Sequence, residues 1–299
     1  MSDLKQSWNK VEVEGVLVSK DISRRTYTAT DGRQREAISG SITIRVEQTI
    51  NGEKVVCDIP VSVFANKFTR EGKENPSYTS IDKVLTEYVS LSAVDDPTRA
   101  TKVRLNQATI QMNEFYSRDG KLISYPRIRA SFIQSVTDNN FTPKASFDME
   151  IVVLNSKDEV NANGETTGRY FLQGATIQYG NALDVVPFYV TNEKAINYMK
   201  SYWNEGATVR VAGTLNFTSV VEKKVTEMAF GEDKVEEYTR SVSELIITGG
   251  SEPYDEDKAY TVTDVQEGLK NRQARLTDLK EKNGKRPTPK APSFNDLGF

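Results

Sequence analysis

A chain of 299 residues with 37% hydrophobic side chains suits two modest cores better than a single large one. It contains no histidine, which removes the commonest general base and metal ligand and excludes His-based triads and zinc sites. The net charge of −3 is uneven: 20 Lys/Arg oppose 18 Asp/Glu over residues 1–143 but 10 oppose 15 over residues 144–250, so an anion is expected at the first block.

In chain order, residues 10–20 alternate apolar and polar, with Gly15 placed where a barrel strand would curl. Residues 38–46 and 55–64 alternate likewise and meet at Asn51-Gly52, a hairpin signal. The lone Cys57 lies in the second of these runs, where it reads as a small buried hydrophobe. A single cysteine also points to a reducing compartment. Ile81, Val84, Leu85 and Tyr88 at helical spacing predict a short helix over 80–88. Residues 103–116 and 122–136 then predict a long hairpin around a turn at 117–121. Three strands, a helix and two strands is the order of a five-stranded OB barrel.

The same order returns downstream. Strands are expected at 147–154, 169–178, 183–190, 209–220 and 238–248, with a polar loop at 157–168 and an acidic insert at 221–237. A helix over 193–203 lines up Ile196, Met199 and Trp203, and Gly206 serves as its stop. The stretch from Asp58 to Lys67 is echoed from Asp184 to Lys194, and the runs 102–105 and 208–211 echo each other. The expectation is mainly β: two OB-like five-stranded barrels in tandem, each with a short helix, then a C-terminal helix and a disordered tail. The boundaries follow as 1–143 for the first barrel, 144–250 for the second, 251–282 for a linker and helix, and 283–299 for a flexible tail. Thr263 with Gln266 resembles a capping box, and Val262, Val265, Leu269, Leu276 and Leu279 fall near helical spacing. Residues 282–292 are proline-rich and polar, an extended tether. The apolar tip beyond them asks for a protein that takes it up.

OB barrels bind ligands on the face of their second and third strands and on the loops after the first and fourth. The first such loop is expected to hold Arg24, Arg25, Tyr27, Arg33 and Arg35. The fourth holds Phe115, Tyr116, Arg118 and Lys121, followed by Tyr125, Arg127 and Arg129 on the next strand. Cations suit phosphates and rings accept stacked bases, while arginine serves both tasks. Singly each residue is ordinary solvated surface; their clustering at two loops favours binding. Lys157, Arg169, Tyr170, Tyr179, Tyr189, Phe217 and Lys223 are the second copy's weaker candidates, whereas Phe171 and Phe188 suit core packing.

No catalytic, metal or cofactor site is expected. Asp95-Asp96-Pro97 reads as a turn, Asp255-Glu256-Asp257 as a solvated linker, and no phosphate loop occurs. The chain has no apolar run long enough to cross a membrane, and residues 1–8 have no apolar core of a secretory signal.

These features resemble the single-stranded DNA-binding proteins, in the tandem-OB form found in tailed bacteriophages. The resemblance covers residues 10–250 as architecture, plus the last seven residues. In that family a flexible tail ends in an acidic tip with terminal hydrophobic residues, commonly Pro-Phe. Here Phe294, Asp296, Leu297 and Phe299 stand in its place, with Gly298 where proline is usual and one acid instead of several. The resemblance implies a non-enzymatic protein that coats single-stranded DNA during replication, recombination or repair with little sequence preference. It implies recruitment of a polymerase, helicase or primase through the tip, a possible homo-oligomer, and a cytoplasmic location (the host's, if phage-encoded). The competing reading is a phage structural or assembly protein whose barrels are interaction domains.

Overall fold

The computed structural model describes residues 5–29, 31–226, 230 and 234–284, with the side chains of 222–226, 234–236 and 283–284 excepted. The tip residues Phe294, Asp296, Leu297 and Phe299 therefore lie outside the described residues.

The first barrel is built from β1 (Asn9–Thr28), β2 (Gln34–Ile50), β3 (Glu53–Asn66), α1 (Pro76–Thr86), β4 (Lys102–Asn106), β5 (Thr109–Tyr116), β6 (Leu122–Ala130) and β7 (Phe132–Ser135). The expected long hairpin is present, but each of its arms breaks in two. Between β4 and β5, Gln107 adopts a left-handed backbone at φ 55°. The ring closes because β1 pairs antiparallel with both β2 and β4, while β3 pairs parallel with β6. Alternation fills it: Val61, Val63, Ile110 and Ile128 point inward and are buried, whereas Ser62 and Arg127 point outward. The predicted helix begins earlier than its apolar spacing suggests, because the Asn75 side chain caps it and Pro76 starts its first turn.

The second barrel repeats the plan with β8 (Lys144–Val160), β9 (Thr166–Ile177), β10 (Leu183–Val190), α2 (Glu193–Tyr202), β11 (Thr208–Thr226) and β12 (Lys234–Gly250). β8 pairs with β9 and β11, and β10 pairs parallel with β12, so this ring also closes. The loop expected over 157–168 shrinks to the turn between Val160 and Thr166, since β8 and β9 continue their ladder past the barrel. The β11–β12 ladder likewise carries the acidic insert out to Thr226 opposite Lys234.

The two rings are joined into one sheet by β1 and β8, paired antiparallel from Asn9↔Met149 to Glu14↔Lys144. The offset that carries Val16, the first β1 residue to pair with β2, onto Val152, the first β8 residue to pair with β9, also carries Val11 onto Phe147. Those two residues face each other across the β1–β8 ladder. The copies are thus related by an approximate two-fold through that pair, as the halves of a symmetric dimer would be. One buried apolar cluster runs through both rings and includes Val11 and Phe147.

Beyond β12 the chain forms α3 (Val262–Gly284). Its cap lies two residues before the expected one. Thr261 Oγ1 accepts from the Asp264 backbone N–H, and the Thr261 N–H donates back to the Asp264 carboxylate. Val262 is consequently exposed, while Val265, Leu269 and Leu276 provide the helix's apolar stripe. Among the described residues no helix is long and apolar enough to cross a membrane.

Candidate functional site

A groove of about 530 Å³ crosses the outer face of the first barrel, lined by Arg25, Ser39, Gly40, Ser41, Ser62, Phe64, Gln111, Asn113, Arg127 and Arg129 among others. Its floor is low because β2 and β3 contribute small residues there: Ser41 pairs with Ser62 and Gly40 with Val63. Gly40 is required on backbone grounds as well. At φ 155°, a Cβ on it would come within 1.9 Å of the Asp21 carbonyl oxygen.

The walls bring three arginines together from two strands. Arg25 lies with its guanidinium carbon 6.0 Å from the centre of the Phe64 ring. Arg127 donates to the Ser62 hydroxyl, and Arg129 donates to Gln111 Oε1 at 2.9 Å. Among the described residues none of the three pairs with a carboxylate, although Asp21 also lines the groove. Past Arg127 the same outward parity runs along the β5–β6 hairpin. Asn113 opposes Tyr125 and Phe115 opposes Ile123, with Phe115 and Tyr125 exposed and packed edge to face. Guanidinium groups free of carboxylates next to exposed rings can receive a chain that is both anionic and aromatic.

The remaining candidates fall elsewhere. β1 and β2 stay paired out to Thr28↔Gln34, so the expected first loop is mostly strand, with Arg33 beyond the last pair. Arg24 is held away from the groove by Asp82 of α1 through bonds of 2.7 and 2.9 Å. Arg35 pairs with Asp31, and the Tyr27 hydroxyl donates to Asn66. Arg33 sits with Arg70 and the exposed Phe68 around a second hollow of about 520 Å³. Arg118 and Lys121 occupy the β5–β6 turn, and Tyr116 opposes Leu122 at the hairpin's end. The Tyr125 hydroxyl accepts from Asn113 Nδ2 at 2.7 Å.

On the second barrel the described candidates have different surroundings. Arg169 lies 4.3 Å from the centre of the Tyr189 ring and is paired with Glu159 and Glu244 at 3.3 and 3.0 Å. Tyr170 and Phe217 are core residues at 6% and 3% exposure, and Tyr170 is hydrogen-bonded to Ser156, so both rings are closed to any ligand. Tyr179 is the opposite, 81% exposed. Lys157 is exposed on β8, not in a loop, and the side chain of Lys223 lies outside the described residues.

Phe64, Ser41, Ser62, Gln111 and Phe68 were not singled out from sequence. For Phe64 the signal was present: it is out of phase with the core positions Val61, Val63 and Ala65, so it must face outward.

The model of the family described as YorF matches residues 7–282. No curated protein matches at the sequence level. Among solved structures, wild-type single-stranded DNA binding protein from Thermus aquaticus matches with a TM-score of 0.50 and 10% identity, covering 87% of this chain and 99% of that one. A deletion mutant of the same protein matches with a TM-score of 0.50 and 10% identity over 84% and 97%. At that identity the likeness is one of fold.

Proposed function

This chain belongs to the YorF family, and we propose that it is a single-stranded DNA-binding protein whose principal site is the groove on the first barrel. The supporting observation is the trio Arg25, Arg127 and Arg129, free of carboxylate partners among the described residues and set beside Phe64, Phe115 and Tyr125. The phosphates meet the guanidinium groups, and unpaired bases stack on the rings at roughly 1–3 kcal/mol each. The fold shared with a bacterial single-stranded DNA binding protein agrees with this reading. A groove read through stacking and phosphate contacts carries little sequence preference.

In its finer form, the protein coats DNA exposed in replication, as the tailed-phage proteins it resembles do. Residues 144–250 act as the second of two tandem units. The tip Phe294, Asp296, Leu297 and Phe299 recruits a polymerase, helicase or primase. The support for the tip is its sequence alone, three apolar side chains and one acid after a proline-rich tether.

Titrating fluorescently labelled oligo-dT at two salt concentrations tests the central claim. Binding that weakens as salt rises is expected, because phosphate contacts release counterions. No binding at low salt refutes it.

A further inference from the structure

The β5–β6 hairpin has two faces. Gln111, Asn113 and Phe115 look into or alongside the groove, and Glu114 looks the other way. That second face is gripped. The Glu114 carboxylate, 2% exposed, receives Arg272 Nη2 at 2.5 Å and Arg275 Nη2 at 2.6 Å, both from α3. Arg275 also reaches Asp184 of β10 at 3.4 Å, and Asp184 accepts the Met112 backbone N–H at 3.0 Å. Asn9 bonds both backbone groups of Ile110, and Gln178 donates to the same carbonyl. The β5 edge that β6 does not cover is thereby satisfied by side chains from β1, from the turn after β9 and from β10.

α3 is seated independently of these charges. Val265 packs with Leu183, Ile177 and Tyr260, and a Cβ on Gly268 would come within 2.7 Å of the Leu183 side chain. The helix thus lies tight on the second barrel and reaches its two arginines, one turn apart, across to the first.

The geometry points to α3 as a brace: Arg272 and Arg275, acting through Glu114, are positioning residues that hold the β5–β6 arm at its working angle over the DNA groove. This rests on the DNA-binding reading above. It also makes α3 a mechanical part of the site. None of the three side chains is assigned to touch DNA.

The full-length chain carrying Arg272→Gln and Arg275→Gln tests this, with oligo-dT association and dissociation followed by stopped flow and arm mobility by amide hydrogen exchange over residues 113–125. The expected result is unchanged association, since the groove cations remain, with faster exchange in the arm. Dissociation should be about tenfold faster, equivalent to losing one stacked base. Arg272→Lys with Arg275→Lys, which restores the charges, should recover most of the loss. Gly268→Ala lifts α3 without altering a charge and should act in the same direction if the double variant does not fold. Faster exchange in the arm with unchanged dissociation overturns the proposal, as does unchanged exchange. Failure of the wild-type chain to bind oligo-dT at low salt overturns the DNA reading instead.

Discussion

The two barrels present corresponding faces with opposite contents. Pro60 of β3 and Pro187 of β10 lie two residues before Ser62 and Tyr189, whose parallel partners are Arg129 and Ile246. Two residues earlier on those partner strands stand Arg127 and Glu244, opposite Gln111 and Asn216 respectively. Across the face, the Ser41–Ser62 pair of the first barrel becomes the Phe171–Tyr189 pair of the second, with ring centres 5.6 Å apart. One face is therefore hollow and cationic, and its counterpart is filled with rings, with its arginine neutralised by Glu159 and Glu244. The two rings share a strand plan, while their outward residues, free of the core's packing constraint, differ.

The strongest way to break this contrast is to reverse charge in the hollow. Arg25→Glu with Arg127→Glu should lower oligo-dT affinity at least about 100-fold, because two attractive phosphate contacts become repulsive. Far-UV circular dichroism should remain that of the wild type, since neither residue is buried. Equal affinity would place the site elsewhere.

Making the first face resemble the second is the next largest change. Ser41→Phe with Ser62→Tyr should fill the groove and weaken binding roughly tenfold, a loss on the order of 1.4 kcal/mol, with stability unchanged or raised. Titration and thermal melting read both quantities.

On the second barrel, Arg169→Gln should do the converse. It strips two partly buried glutamates of their cation, so it should cost about 1–2 kcal/mol of stability in chemical denaturation. DNA affinity should barely change.

A smaller effect concerns the seam between the barrels. Hydrogen bonds from Lys10 and Lys144 lower the Glu12 carboxyl from 4.5 to about 2, and Lys144 reaches it across the β1–β8 ladder. A depressed carboxyl stabilises the fold above its unfolded value and loses that contribution as pH falls toward about 2. Melting curves taken from about pH 5 down to about pH 2 should show a shallower decline for Glu12→Gln than for wild type.

Much of the scaffold was legible because it is written in period-two alternation, as at Val61, Val63 and Ala65, and in local signals such as Asn51-Gly52. Local pattern misleads where alternation ends but pairing continues. β8 and β9 run on through residues read as a loop because each supplies the other's hydrogen bonds. The α3 cap moved to Thr261 because Asp264, not Gln266, closes the box. Within the site, charge and ring type picked out Arg25, Arg127, Arg129 and Tyr125 in the groove or beside it, but could not say that Asp82 would claim Arg24 or that Tyr170 would be core.

By itself the sequence determined that the chain is mainly β, with a strand order that recurs and no histidine chemistry, because alternation, turn residues and composition act over short range. Tertiary structure alone decided which cations stay unpaired, that β1 and β8 fuse the copies into one sheet, and that α3 reaches back to Glu114. Those outcomes depend on which side chains, distant in the chain, arrive within hydrogen-bonding distance, as Glu114 and Arg272 do across 158 positions.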